Sequence, residues 1–228
     1  MRTPGPDRDL AAGFCLTEGI IAEADELESV EPCDEAEYGN IIAVRLTDEA
    51  MARRAEQIAC AKRELYLSSS CGLCGKQSID RIRQKTPPIA GDFTIARDTL
   101  AGLPDVMRAA QATFEQTGGL HACGWFTPAG ELRLLREDVG RHNAVDKVVG
   151  AALLSHQLPL AQGVLLVSGR ASFEIMQKAA MAGCAFVAAV SAPSSLAVDF
   201  AVELGMTLVG FLRPGRMNIY HDRGRISP

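Results

Sequence analysis

Residues 163–211 read GVLLVSGRASFEIMQKAAMAGCAFVAAVSAPSSLAVDFAVELGMTLVGF, and this stretch decides the fold class. Its apolar runs Val164–Val167, Ala185–Val190 and Thr207–Phe211 are short and continuous, the pattern of strands buried on both faces. Between them lie two helical patterns, Phe173–Ala182 and Leu196–Leu204, each stopped by a glycine, Gly183 and Gly205. Strand, helix, strand, helix, strand in this order describes right-handed βαβ units and a sheet covered on both sides by helices.

Upstream the same regularity continues. Leu103 to Gln116 forms an amphipathic pattern closed by Gly118-Gly119. A hairpin follows, with arms Leu120–Phe126 and Glu131–Arg136 around Thr127-Pro128-Ala129-Gly130, and then a helix over Ala144–Leu154. The first ninety residues are less periodic. Asp7 is expected to cap a helix carrying Leu10, Phe14 and Ile20, Ile41–Leu46 is a strand, and Thr47-Asp48-Glu49 opens a helix running to Cys60. The acidic stretch Ala22–Tyr38 shows no period and is expected to be a surface excursion. Thr86-Pro87-Pro88-Ile89-Ala90-Gly91 breaks any helix and divides the chain into a smaller α+β lobe, residues 1–90, and an α/β domain, residues 91–228.

The chain has 228 residues, 47% of them hydrophobic, a size sufficient for one full domain and a lesser lobe. Its net charge of −5 argues against a surface that grips nucleic acid or anionic lipid as a whole, so an anionic ligand requires a local cationic site. No apolar run reaches the length of a membrane span and the first ten residues lack the marks of an export signal. Seven cysteines, an odd number scattered along the chain, fit the reducing cytoplasm better than a disulfide framework. Arginine outnumbers lysine 18 to 5, a bias that composition alone explains; the placement of particular arginines carries more information.

In a sheet of this kind ligands sit beyond the carboxyl ends of the strands, where loops enter helices. The polar residues concentrate in those loops: Arg136-Glu137-Asp138-Val139-Gly140-Arg141-His142-Asn143, Ser168-Gly169-Arg170-Ala171-Ser172, Ser191-Ala192-Pro193-Ser194-Ser195 and Phe211-Leu212-Arg213-Pro214-Gly215-Arg216-Met217-Asn218. Guanidinium forks and backbone N–H groups at one rim suit phosphate. His142, beside Arg141 at a helix start, is well placed for function, whereas His121 either lines the site or satisfies a strand end. His156 and His221 read as solvated, and Glu174 with Lys178 as an i, i+4 helix pair.

Cys71-Gly72-Leu73-Cys74 is the sharpest chemical feature. Flanked by serine and glycine, it reads as an exposed loop that could lead into a helix, whose positive end lowers a thiol pKa. A structural zinc needs four ligands, and neither a second CxxC nor paired histidines exist. A thiol–disulfide oxidoreductase pair is the stronger rival to a reactive thiol. Cys15, Cys60, Cys123 and Cys184 lie in apolar company and read as small core residues, while Cys33 stays open.

The element order over residues 100–211 resembles the cytidine deaminase-like three-layer α/β fold. A zinc deaminase carries H-x-E and P-C-x-x-C where this chain has Arg141-His142-Asn143-Ala144 and Ser168-Gly169-Arg170-Ala171, so deamination is not expected. Together, Ser69–Gly75 (SSCGLCG), Thr117–His121 (TGGLH), Arg136–Lys147 (REDVGRHNAVDK), Ser168–Glu174 (SGRASFE) and Ser191–Val198 (SAPSSLAV) resemble the formate dehydrogenase accessory protein family, FdhD/NarQ, from Arg2-Thr3-Pro4-Gly5 to Asn218-Ile219-Tyr220. The resemblance implies a cytoplasmic homodimeric sulfur carrier. It implies that sulfur passes from a cysteine desulfurase to the molybdenum of a bis-molybdopterin guanine dinucleotide cofactor, which then serves formate dehydrogenase.

By motif match Cys71 is the persulfide-forming residue and Cys74 its helper, and Phe211, Leu212, Arg213, Pro214, Gly215 and Arg216 form the cofactor-binding segment. Arg141, His142 and Arg170 would add charge and hydrogen bonds. Two departures stand out. Members of the family generally have further strands before the Thr-Pro-Gly segment, on which this chain almost begins, and Cys123 stands where a small apolar residue is usual. A dithiol oxidoreductase and a non-catalytic cofactor-binding adaptor are the alternative activities.

Overall fold

The computed structural model describes residues 1–33, 41–59, 86 and 89–228. Its centre is a six-stranded mixed sheet in the order β5-β4-β6-β7-β8-β9, formed by β4 (His121–Phe126), β5 (Leu132–Asp138), β6 (Val164–Val167), β7 (Phe186–Ala189), β8 (Thr207–Arg213) and β9 (Arg216–His221). Strands β6, β7 and β8 are parallel and joined by helices α6 (Phe173–Met181) and α7 (Ser195–Leu204). This is the βαβ arrangement that the continuous apolar runs predict.

Period-2 alternation divides the strands between two cores. Leu165, Val167, Val187, Ala189 and Leu208 face helices α5 (Arg141–Leu154), α6 and α7. Val164, Leu166, Phe186, Ala188, Val209 and Leu212 face α3 (Arg97–Ala110). All the residues of β6 and β7 are buried, so a polar side chain at any of them would lose its water without gaining a partner.

Helix α1 (Asp7–Thr17) lies across α5, and its Ala12, Cys15 and Leu16 join the larger core together with Ile21 and Val30. The approach needs two glycines. A Cβ on Gly13 would lie 1.8 Å from the Asp146 carbonyl oxygen, and one on Gly150 would lie 1.8 Å from that of Asp9. The inward face of α1 is therefore the small-residue face rather than the one bearing Leu10 and Phe14, and Ile20 lies beyond the helix end. Asp7 is the first helical residue, not the cap, and its carboxylate accepts from Arg2. Packing crosses the expected division at residue 90: the described part of residues 1–59 adds to the core of the α/β body rather than enclosing one of its own.

Four local expectations are corrected. Within the stretch read as a surface excursion, Leu27–Pro32 is strand β1, paired antiparallel with β2 (Ile42–Leu46), and its one inward residue, Val30, anchors it to the main core. The helix expected over Leu103–Gln116 begins earlier, at Arg97, and breaks at Gln111 before α4 (Ala112–Thr117). The break has a cause: the Glu137 carboxylate of β5 accepts from the backbone N–H groups of Thr113 and Phe114, capping a new helix start. The loop expected after Phe211 is instead a β8–β9 hairpin turning at Pro214-Gly215, with Gly215 at φ +69°. Helix α2 (Asp48–Arg53) starts where expected, with the Thr47 hydroxyl accepting from the Ala50 N–H, but turns at Arg54 rather than running unbroken toward Cys60. Two short strands, β3 (Ile95–Ala96) and β10 (Ile226–Ser227), pair in parallel and tie the end of the chain to the body.

Candidate functional site

One rim of the central sheet gathers the ends of five strands. Strands β6, β7 and β8 finish there, β5 also ends there at Asp138, and β4, antiparallel to both of its neighbours, begins there with His121. The loops leaving this rim are those that the sequence singles out as polar. Ser168 Oγ accepts from the Ala122 N–H at 2.9 Å, and a bridge between Ala171 and Pro193 links two of the loops.

His121, Arg141 and the Gly169-Arg170 turn come together. A Cβ on Gly169 would sit 3.3 Å from His121 Nδ1 and 3.6 Å from Arg141 Cδ, so the absent side chain keeps this corner open. Arg141 Nε is buried and, among the described residues, has no hydrogen-bond partner. Burial, then the charges of Arg141 and Arg170, hold His121 below the ordinary histidine value of 6.5. Next to this group His142 Nε2 lies 3.3 Å from Ser172 Oγ. Burial, followed by the Arg141 charge, lowers His142 as well. Near neutral pH the corner therefore presents guanidinium charge and uncharged imidazoles, a combination that attracts an anion and can still donate to it through N–H groups.

The path of residues 137–143 is fixed by a buried ion pair. Lys147 Nζ and Asp138 Oδ2 are 2.6 Å apart and both side chains are fully covered. Asp138 Oδ1 accepts from the Gly140 N–H and from Asn143 Nδ2, while Oδ2 also accepts from the Thr3 N–H. Lys147 donates further to the Thr3 and Glu137 carbonyls. Burial by itself would raise the Asp138 carboxyl, but these donors outweigh it and hold Asp138 below its ordinary value. The block Arg136–Asn143 reads as a polar rim loop, and the sequence signal for a buried pair there is a lysine in an otherwise apolar helix segment, Ala144 to Leu154.

Arg213, Pro214, Gly215 and Arg216 occupy the exposed tip of the β8–β9 hairpin, where Arg213 pairs with Arg216 in register. Leu212 is fully buried in the second core and faces away from any ligand at the rim. Phe211 is half-buried with a left-handed backbone, φ +51°, and its N–H donates to the Ser191 carbonyl. A non-glycine residue there costs on the order of 1 kcal/mol, which marks the entrance to the hairpin as locally strained.

Cys71 and Cys74 lie outside the described residues, as does Cys60. Cys15, Cys123 and Cys184 are buried free thiols. Burial raises each of them, Cys15 and Cys184 to about 11, which keeps them protonated and unreactive. Lys178, expected to pair with Glu174 on a helix surface, is instead buried, 2.9 Å from Glu18 and 3.0 Å from Asp146. His221, expected in solvent, bonds the Met206 carbonyl through Nδ1. Among the described residues no helix is long and apolar enough to cross a membrane.

Fold and rim together define an α/β protein whose mixed sheet presents an arginine- and histidine-lined corner. The FdhD/NarQ family model matches residues 1–227, and the chain belongs to that family. It is 52% identical to the sulfur carrier protein FdhD of Streptomyces avermitilis, covering 100% of this chain and 82% of that protein. Against the protein of the same name from Mycobacterium tuberculosis the identity is 46%, over 100% of this chain and 84% of that one. A crystal structure assigned as a formate dehydrogenase accessory protein from Desulfotalea psychrophila superposes with a TM-score of 0.75 at 26% identity, covering 100% of this chain and 82% of that chain.

Proposed function

We propose that this protein is a sulfur carrier of the sulfurtransferase type, which holds sulfane sulfur as a persulfide on Cys71 and delivers it to the molybdenum of a bis-molybdopterin guanine dinucleotide cofactor. The reading is carried by full-length similarity to proteins named as sulfur carriers, joined to the Cys71-Gly72-Leu73-Cys74 motif in the sequence. The cationic rim supports the choice of acceptor, since guanine dinucleotides bring pyrophosphates that guanidinium groups bind well. On this reading the donor is a cysteine desulfurase, the enzyme served is formate dehydrogenase, and the carrier works in the cytoplasm as a homodimer. The body is of cytidine deaminase-like layout, with the Cys71 motif in residues 1–90, whose described part packs onto the body, and the cofactor site in residues 91–228.

The first step is a thiol–disulfide exchange. The Cys71 thiolate attacks the outer sulfur of the donor persulfide, a new S–S bond forms on Cys71, and the donor leaves as its thiolate. In the second step that S–S bond breaks, the Cys71 thiolate returns, and the released sulfane sulfur becomes a sulfide ligand by taking two electrons from the acceptor cofactor, which enters in its reduced state and leaves oxidised by two electrons. Cys74 stands close enough in sequence to resolve the persulfide through a disulfide. Arg141 and Arg170, with His121 and His142, bind and orient the acceptor's anionic groups, and Arg213 and Arg216 approach it from the hairpin tip.

The test is mass spectrometry after incubation with a desulfurase and cysteine. Peptide mapping should show a gain of about 32 Da on Cys71, absent from Cys71→Ala, which should also fail to activate formate dehydrogenase while retaining nucleotide binding. A Cys71→Ala variant that still activates the enzyme would remove the persulfide role. Disulfide reductase activity without added mass would favour the dithiol oxidoreductase, and nucleotide binding with neither would leave an adaptor.

A further inference from the structure

We infer that the buried Asp138–Lys147 pair, together with Thr3, is a positioning device for Arg141, so that residues near the start of the chain form part of the rim site. Removing a carboxylate and an ammonium from water is expensive by several kcal/mol per ion, and an apolar pair of similar volume would serve stability as well or better. What the ions add is direction. Their remaining hydrogen-bonding capacity goes to Glu137 O, Gly140 N, Asn143 Nδ2 and both backbone polar groups of Thr3. Thr3 Oγ1 then accepts from the Val139 N–H at 2.9 Å, and Asn143 Nδ2 also donates to the Met1 carbonyl.

Every contact lies on the segments that precede and follow Arg141, or on residues 1–3, which are hydrogen-bonded to them. The Arg141 Nε has no hydrogen-bond partner among the described residues. That end of the guanidinium is thus aimed by the backbone path into α5 rather than by a bond of its own. Fixing that path keeps a donor beside His121 and the open corner at Gly169 before any ligand arrives, which removes an ordering cost from binding. That Arg141 meets an anion rests on the function proposed above; that its place is set by Asp138, Lys147 and Thr3 does not.

The test reads Arg141 without a ligand. The pH titration of the His121 ring is followed by NMR in the full chain, its signal assigned with His121→Gln. Arg141→Ala should raise the His121 midpoint by about half a pH unit, because one repelling charge is gone. Asp138→Leu with Lys147→Met, which replaces both ions at once, should raise it comparably, and adding Arg141→Ala to that pair should raise it no further. Thr3→Val keeps the ion pair and loses only the Val139 anchor; it should move the midpoint the same way by less, and it decides the matter if the double variant does not fold.

A His121 midpoint unmoved by the double variant or by Thr3→Val, or shifts that simply add in the triple variant, would overturn the inference, as would an Arg141→Ala variant with no effect on His121. A parallel titration with GDP separates the two readings. If the wild-type protein fails to bind GDP, the cofactor assignment fails while the His121 result stands.

Discussion

Asp146 and Lys147 are neighbours in helix α5 and both are buried, yet they belong to two different ionic locks. Asp146 faces inward. Its Oδ1 accepts from the Thr17 hydroxyl at 2.7 Å and lies 3.0 Å from Lys178 Nζ, which bonds Thr17 and Glu18 in turn. This inner lock joins three helices, α1, α5 and α6. The outer lock, Lys147 with Asp138, holds loop backbone at the rim. Similar chemistry thus does two jobs, one securing helix packing and the other shaping a site. The difference lies in what the ions touch: side chains on regular elements in one case, backbone groups of irregular segments in the other.

The largest expected effect comes from the helix crossing that the inner lock accompanies. Gly150→Leu must push α1 off α5, because even a Cβ would collide with the Asp9 carbonyl. We expect a loss of about 3 kcal/mol or more, roughly a 6–12 °C fall in Tm for a chain of this size, read by thermal unfolding. Lys178→Met, which strands the Asp146 carboxylate in the core, should cost a similar amount, about 3 kcal/mol. If the two locks are distinct, this variant leaves the His121 midpoint unchanged at temperatures where it is folded; a shifted midpoint would merge them.

Arg141→Ala should weaken GDP binding by roughly tenfold or more, about 1.4 kcal/mol. The exposed tip arginines, unsupported by any buried network, should matter less: Arg213→Ala with Arg216→Ala should lose only about threefold, as measured by calorimetric titration. Equal losses would erase the distinction between a braced and an unbraced arginine. The smallest effect concerns acid. Asp138 is held below its ordinary value of 3.8, so its contribution to stability is complete above that value and disappears as pH falls through the lower folded one. Replacing Asp138 and Lys147 by Leu and Met should therefore flatten the acid end of a denaturation curve, a change visible in urea midpoints between about pH 2 and pH 4.

The sheet was legible because its strands are short, continuous and punctuated: Val164–Val167 falls where the apolar run predicts it, and Gly205 stops α7 in the left-handed conformation. The rim was legible too, since loops after strands can be counted, and Arg141 does meet Gly169 and His121. Tertiary partners were not legible. Nothing local to Leu27–Pro32 announces a strand whose reason is Val30 reaching a distant core. The break at Gln111 depends on a carboxylate 23 or 24 positions away. The burial of Lys178, read as a helix pair with Glu174, and of Lys147 is not legible locally, because it is decided by the acids that meet them, which arrive from other segments. Leu212 stood among arginines in the sequence, and only alternation along a longer β8 turns it inward.

Because α1 shares its core with α5, the chain cannot be cut at residue 90 without wounding both pieces. A stand-alone 91–228 fragment would bare the small-residue stripe of α5, strip Thr17 from Asp146 and take Thr3 from Lys147. Such a fragment should be sticky rather than soluble, and restoring the missing half as a separate peptide should rescue it only as far as two glycine backbones can find each other again.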